Sequence, residues 1–389
     1  MPVSKSIQDR MVRVRRDLHM HPELSFEEER TARVIAEELS SMGLSVKSGV
    51  GGHGLVVDIE GRQDGPRVAL RADMDALPIR EETGLPFASV HDGVMHACGH
   101  DGHSAMLVGA AELLRDEPPP GPVRLLWQPA EETGRGAVSM IEAGAVADVA
   151  MIFGAHVDRR YDPGVLVVTD GVVNASADTF RIEVVGRQGH GARPHQSIDA
   201  VLVGAHLVTA LQSIVAREID PAMPAVVSVG SFHAGSASNV IAGRASLEGT
   251  LRAQDPTVRS QLHSAVRRIG DGVAAQFRAE VDVQVILGSP PVINDVPAAS
   301  LARVAAEAVA GPGGVTTLER ANMGGEDFSW YLGEIPGCYI RLGSKAQGCE
   351  HYPAHSSRFD IDESSLGWGA RWYSEVARRA GVALRQRSA

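Results

Sequence analysis

The chain is poor in cysteine: its 389 residues include three, Cys98, Cys338 and Cys349. An odd and sparse set excludes a disulfide scaffold, which uses even numbers of cysteines at high density. Cys338 and Cys349 read as buried or idle thiols, whereas Cys98 stands among histidines. Positive charge is also short, with 37 Lys and Arg against 48 Asp and Glu and a formal net charge of −11. A chain this acidic lacks the basic stripe that a phosphate backbone requires, so nucleic acid is not expected as a partner. A small anionic substrate stays open, because a single local Arg can receive one. No apolar run is expected to reach the ~18 to 20 residues needed to span a membrane. The stretch MPVSKSIQDRMVRVRRDLH has charge but no apolar segment, so the expectation is no secretory signal, no membrane and a cytoplasmic location. Aromatic residues make up 4%, which gives little sign of a large aromatic pocket, although a few would line one.

What is present is an alternation of helical and strand patterns. The length suggests roughly two domains. SIQDRMVRVRRDLHMHPE and SFEEERTARVIAEELSSMG read as helices, with Ser25 and Glu28 fitting a capping box and Gly43 a C-cap. GLVVDIEG, RVALRADMDALPI, VRLLWQP and VAMIFGAHV read as strands, and HSAMLVGAAELLRDE and GAVSMIEAGA as helices between them. Such alternation predicts an α/β domain with a largely parallel sheet. Near residue 178 the texture becomes strand, helix, two strands, helix, strand, close to the ferredoxin-like α+β pattern. After residue 290 the α/β texture returns. The expected organisation is a discontinuous α/β domain, 1–177 and 290–389, interrupted by an α+β insertion, 178–289.

Metal-capable side chains crowd one stretch, MHACGHDGHSAM, where His96, Cys98, His100, Asp101 and His103 fall within residues 96–103. Cys98 and His100 are two apart, and in an extended loop such residues point the same way. Thiolate with imidazole suits Zn²⁺ and other borderline transition metals. Structural histidines in a helix-start loop would give the same letters. A closed four-ligand zinc site is disfavoured, because no second CxxC-like pair exists. In WQPAEETGRGA, Glu131 and Glu132 follow directly on a strand, at the kind of strand exit where α/β sheets build sites. Neighbouring carboxylates there can diverge, one toward a metal and one toward water. His156 ends an apolar strand, as a core histidine or a ligand. His355 lies in the loop YPAHSSRFDID, and Asp73 and Asp75 end the strand RVALRADMD, able to ligate or to orient a ligand.

The stretches LHMHPELSFEE, LRADMDALPI, MHACGHDGHSAM, QPAEE, GHGARPH, SNVIAG and MGGEDFSWYL, in that order over nearly the whole chain, resemble the co-catalytic dinuclear metallopeptidase family in its amidohydrolase branch. That branch contains hippurate hydrolases, aminoacylases, indole-acetyl-amino-acid hydrolases and N-acetyl-diaminopimelate deacetylases. The resemblance implies a dinuclear-zinc-peptidase-like catalytic domain with an inserted ferredoxin-like lid or dimerisation domain. By motif it makes Cys98, His100, Glu132, His156 and His355 the ligands of two divalent ions (Zn²⁺, Mn²⁺, Co²⁺ or Ni²⁺). It makes Glu131 the general base and Asp75 the orienting carboxylate. His190 would belong to the lid and reach the active site of a partner subunit. Asn239 and Arg252 match lid positions that bind the substrate's carboxylate or amide oxygen. Three positions depart from the pattern: Gln188 and Gly325 stand where Gly and Ser or Ala are usual, and Ala242 where Pro is usual. None removes a ligand or the base.

The implied reaction is hydrolysis of N-acyl amino acids by a homodimer or higher homo-oligomer built through the lid, with Glu131 moving the proton from water to the departing amine and a metal together with His190 receiving the oxyanion. A dipeptidase or carboxypeptidase on the same scaffold is the alternative. A non-catalytic metal-dependent binding protein would require a damaged base or ligand, and every one of those residues is in place. His21, His96, His103 and His351 receive no assignment, beyond His103 packing at the start of the following helix.

Overall fold

The structure is a computed structural model that describes residues 2–346 and 352–388. Cys349 and His351 lie outside the described residues. The elements begin with α1 (Lys5–Met20), α2 (Glu29–Ser41), β1 (Val46–Val50), β2 (Gly54–Ile59), β3 (Arg67–Asp73), α3 (His100–Asp116), β4 (Val123–Gln128), α4 (Gly136–Glu142), β5 (Val149–Asp158), β6 (Leu166–Val167) and β7 (Gly171–Asn174). There follow β8 (Asp178–Val185), β9 (Gly189–His190), α5 (Ala200–Ser213), β10 (Ala225–Ala234), β11 (Val240–Ile241), β12 (Arg244–Ala253), α6 (Pro256–Phe277) and β13 (Glu280–Ile286). The last are β14 (Val292–Asn294), α7 (Val296–Ala310), β15 (Val315–Thr316), α8 (Phe328–Glu334), β16 (Gly337–Gly343) and α9 (Ser365–Ser388).

The chain divides into two compact units. The first comprises Met1–Val173, Val292–Arg320 and Asp327–Ala389, and the second Asn174–Pro291 with Ala321–Glu326. The junctions fall a few residues from the 177/178 and 289/290 boundaries expected from texture. The hexapeptide 321–326, expected in the first unit, sides with the second, where Asn322 O accepts from Ala175 N (2.9 Å) and Ala321 O from Gln254 Nε2 (3.2 Å). Both are contacts across long sequence separations, which local texture does not carry.

In the first unit an eight-stranded sheet runs in the order β1-β2-β4-β3-β5-β16-β6-β15. Its centre, β4-β3-β5-β16, is parallel. The β6-β15 pair is parallel as well, while the β1-β2, β2-β4 and β16-β6 pairs are antiparallel, so the sheet is mixed with four of its seven pairings parallel. The antiparallel β1-β2 pair follows from its short connection, since a parallel return needs a crossover of a dozen or more residues. Successive side chains on the central strands face opposite layers. Val68, Leu70, Ala72, Leu125, Trp127, Met151 and Phe153 pack beneath α1, α3, α7 and α9. Ala69, Leu126 and Ile152 face α4 and α8, with Met140, Phe328 and Tyr331. Each large apolar side chain buried this way contributes roughly 1.5–3 kcal/mol. The Tyr373 hydroxyl on α9 ties the parallel strands together, donating to Arg71 O on β3 (2.7 Å) and accepting from Ala155 N on β5 (3.0 Å).

The capping box at the start of α2 does not form. Ser25 Oγ donates to Asp75 instead. The first-turn N–H groups of Arg30 and Thr31 are accepted by the Glu23 carboxylate at 3.0 and 2.7 Å. Gly43 does follow α2 in the left-handed region, φ +80°.

The second unit is a β-α-β-β-α-β unit whose antiparallel sheet has the order β10-β12-β8-β13. Phe180, Ile182 and Val184 of β8 point toward α5 and α6, and the intervening Arg181 and Glu183 are exposed. A π-turn, Ile214–Glu218, extends α5, and the combined stretch Ala200–Glu218 reaches 19 residues with a mean hydropathy of 1.5. By length and composition it is the one helix among the described residues that could cross a membrane, which the sequence reading did not foresee. One face, with Ala200, Val203, Leu207, Leu211 and Ile214, packs on the sheet, while Val201, Leu202 and Val215 are exposed.

Candidate metal centre

The parallel strands β3, β4 and β5 bring their carboxyl ends to one edge of the sheet, where α/β proteins place their sites. Asp73 closes β3, the 3-10 turn Glu131–Thr133 follows β4 after two residues, and His156 lies near the end of β5. Cys98 and His100 sit at the start of α3, where Gly99 has φ +95°. A Cβ there would stand 2.5 Å from Val157 Cγ2, so the turn that separates Cys98 from His100 requires glycine. The loop with His355 is pinned beside them, its N–H donating to Ala97 O at 2.8 Å.

Five of the expected ligand side chains converge. Cys98 Sγ lies 3.3 Å from His156 Nε2, and His355 Nε2 lies 3.5 Å from Glu132 Oε1. His100 Nε2 lies 3.9 Å from Glu132 Oε1 and 4.0 Å from Glu131 Oε2. The donor atoms of Cys98, His100 and His156, of Cys98, Glu132 and His355, and of His100, Glu131 and Glu132 form three overlapping groups, each within 4.8 Å.

Hydrogen bonds leave the inward-facing atoms available. His100 Nδ1 donates to Asp75 O (3.0 Å) and Oδ1 (3.1 Å), which turns the Nε2 lone pair into the cluster. His156 Nδ1 donates to Val157 O at 2.7 Å, which does the same for its Nε2. His100 Nε2 and Glu132 Oε1 are buried and make no hydrogen bond among the described residues. Buried polar atoms are rarely left so, unless an ion or water completes them. Thiolate, imidazole and carboxylate form a donor set for borderline divalent metals. The residues present therefore fit the metal centre.

The electrostatics agree. Burial alone would lower the His100 pKa, yet Asp73, Cys98 and Asp75 raise it well above the usual value, so the pocket favours positive charge at this point. Burial pushes the Cys98 thiol up, with Glu132 adding to the effect. Cys98 becomes a thiolate only with a cation beside it. Asp75 is held below the usual carboxylate range against its burial by His100, Ser25 and the N–H of Glu132.

Glu131 and Glu132 diverge. Glu132 N–H is fixed by Asp75 Oδ2 at 3.0 Å, whereas Glu131 Oε1 accepts from Asp327 N–H at 3.3 Å. The Asp327 carboxylate is in turn buried among Arg71 Nη2 (2.8 Å), Gln128 Nε2 (2.8 Å) and Ala137 N (2.9 Å). Arg71 also holds Asp73 at 2.5 Å, and Asp73 holds His103 Nδ1 at 2.6 Å. His103 Nε2 accepts from Val157 N–H at 3.0 Å, so both its nitrogens are engaged and it buttresses the His156 strand. His96 is buried with neither nitrogen hydrogen-bonded among the described residues, and burial lowers its pKa to about 4, so it is neutral. His21 bonds to Asp17 O in its own helix. Arg71, Gln128 and Asp327 are the members of this network that the sequence does not single out, and His103 lies in the first turn of α3 as expected. LRAD, QPAEE and GGEDF contain the three and carried the available signal.

The other expected residues lie in the second unit. His190 is exposed on β9, paired with Val240 of β11, and its Nδ1 accepts from Ala192 N–H at 3.0 Å. Asn239 O accepts from Gly191 N–H at 2.8 Å, which places Asn239 beside His190. Arg252, on β12, is half-buried with no hydrogen bond or ion pair among the described residues, and burial lowers its pKa with only the field of Asp178 opposing. A Cβ at Gly325 would lie 2.6 Å from Ala177 Cβ and 3.4 Å from Arg252 Nη1, which accounts for glycine where Ser or Ala was expected.

The profile of peptidase family M20/M25/M40 matches residues 69–379. Thermostable carboxypeptidase 2 of Saccharolobus solfataricus is 40% identical over 382 residues, covering 96% of each chain. N-acetylcysteine deacetylase of Bacillus subtilis is 39% identical over 381 residues, 96% of this chain and 97% of that protein. Among solved structures, the YXEP protein of Bacillus subtilis, described as a dinuclear metal binding peptidase from the M20 family, is 35% identical with a TM-score of 0.84, covering 98% of this chain and 99% of that one.

Proposed function

The chain belongs to peptidase family M20/M25/M40 as a metal-dependent hydrolase of amide bonds, and from that premise we propose that its substrates are N-acyl amino acids, cleaved to a carboxylic acid and a free amino acid. The observation that carries the proposal is the convergence of Cys98, His100, Glu132, His156 and His355 with Glu131 alongside. Those five side chains would hold a pair of divalent ions, Zn²⁺, Mn²⁺, Co²⁺ or Ni²⁺. Such a pair supplies polarisation of the scissile carbonyl and a water whose pKa falls from 15.7 toward about 7.

Glu131 takes the proton from water and returns it to the departing nitrogen. The N–H of Asp327 fixes one of its oxygens and leaves the other facing the cluster. Asp75 orients His100 and holds the backbone of Glu132. The free carboxylate of the amino-acid half pairs with Arg252, whose planar fork suits it and whose guanidinium makes no hydrogen bond or ion pair among the described residues. Asn239 binds the same carboxylate or the amide oxygen, and His190 donates to the oxyanion from the second unit of a partner subunit in a cytoplasmic homodimer. These last assignments rest on the motif resemblance.

A peptide-cleaving activity is the second reading, favoured by the similarity to the carboxypeptidase. The test is amine release from N-acetyl, N-benzoyl and longer N-acyl amino acids and from unblocked dipeptides. The enzyme is stripped with chelator and then given each of the four metals. Metal-dependent cleavage of the acylated series is expected. Cleavage of dipeptides alone would transfer the assignment to the second reading.

A further inference from the structure

The stretch HPELSFEE has no part in the reaction described so far, yet it is wired to the catalytic loop. Leu24 pairs with Ala76, and Ala76 N–H donates to Glu23 O at 2.8 Å, so residues 23–28 run alongside the end of the β3 segment. Ser25 Oγ donates to Asp75 Oδ2 at 2.7 Å, the oxygen that also fixes Glu132 N–H. Glu28 is fully buried, its Oε1 accepts from Ala130 N–H at 2.8 Å, and its Oε2 makes no hydrogen bond among the described residues.

Ala130 is the hinge of the strand exit. It is buried and left-handed, φ +54° and ψ +40°, a conformation that a residue with a Cβ avoids. Its carbonyl is held by Thr133 Oγ1 (3.0 Å) and Gly136 N–H (3.1 Å), and its N–H by Glu28 alone among the described residues. The loop is thus anchored at Ala130 by Glu28, at Glu131 by Asp327 and at Glu132 by Asp75. Glu131 follows directly on the Glu28 anchor with Asp327 on its carboxylate, while Glu132 is held at its own N–H by Asp75.

We propose that Glu28 is a positioning residue for Glu131, fixing the left-handed turn at Ala130 that aims the carboxylate into the site. The inference rests on Glu131 being the general base. Burial, with the charge of Asp75 contributing, pushes the Glu28 pKa up to about 7, so an uncharged amide is a close mimic of it.

The test compares metal-loaded wild type, Glu28→Gln, Glu28→Leu and Glu28→Leu with Ala130→Gly. The readouts are kcat, KM, bound metal and hydrogen exchange of the peptide spanning 128–136. Glu28→Leu should lower kcat on the order of 10²-fold, the cost of a misplaced catalytic group, with KM and metal content little changed and exchange of that peptide faster. Gln, which keeps the acceptor, should restore most of kcat. Gly at 130 takes the left-handed turn unaided and should recover part of it. Should the Leu variant not fold, Glu28→Asp, one methylene short of Ala130, takes its place. The inference is overturned if Gln is as slow as Leu, if kcat falls only in step with lost metal, or if exchange at 128–136 is unchanged. Turnover surviving in Glu131→Gln would instead overturn the reading of the base, and the exchange result would still decide the role of Glu28.

Discussion

Two adjacent glutamates meet different surroundings, and the roles proposed for them follow that difference. Glu132 has its N–H fixed by Asp75 and a buried oxygen turned toward His100 and His355. Glu131 has one oxygen on the N–H of Asp327 and the other 4.0 Å from His100 Nε2. Replacing Glu131 by Gln keeps an acceptor for Asp327 and removes only the basic oxygen. The Glu131→Gln protein should therefore bind its full complement of metal while kcat falls ~10²–10⁴-fold, the usual reach of a general base. Cys98→Ala should behave in the opposite order, losing metal first and activity with it. Elemental analysis beside steady-state kinetics separates the two. Full metal occupancy in Cys98→Ala would remove Cys98 from the ligand set.

At the scale of elements, α1 carries an ionic clamp onto the start of α3. Arg15 and His19, both buried, reach Asp101 at 3.1 and 2.9 Å, and His19 Nε2 reaches Glu81 at 3.3 Å. Burial would lower the His19 pKa, but its bonds to Asp101 and Glu81 raise it to about 9. A histidine raised in the folded state contributes stability that is complete below its unfolded pKa of ~6.5 and lost as pH rises through the folded value. The stability difference between wild type and His19→Gln should be a few kcal/mol at about pH 6 and shrink toward pH 9–10. Denaturant melts across that range check it, and a pH-independent difference would sink it. The elements themselves were legible, because apolar spacing of two or 3.6 residues marks strands and helices. The clamps between them were not. Arg71 meets Asp327 across 256 residues and Gln128 meets it across 199, and no local pattern records such a pairing. Ser25 shows the same limit, since its letters satisfied a capping box while its hydroxyl serves Asp75. The cluster was legible in its proposed ligands, which sit at strand ends and in one dense stretch, and illegible in the supports that orient them.

For the whole molecule the open surface of the second unit is the telling feature. On α5, Leu202 and Val201 are 47% and 41% exposed, and Phe232 on the neighbouring β10 is 37% exposed. β10 is also an edge strand, with one row of backbone groups unpaired in its sheet. Long edge strands with apolar neighbours invite pairing, and a second copy offers the same surface, as a two-fold interface requires. The proposed homodimer would use this face and deliver His190 in trans. Leu202→Glu places a charge on the outer side of α5 without touching the residues that pack on the sheet. Sedimentation velocity should give a dimer for the wild type and a shift toward monomer for Leu202→Glu. The variant should keep its metal, with kcat falling and recovering as protein concentration is raised, because the dimer reforms by mass action. A wild type that sediments as a monomer with full activity would overturn both the interface and the trans role of His190.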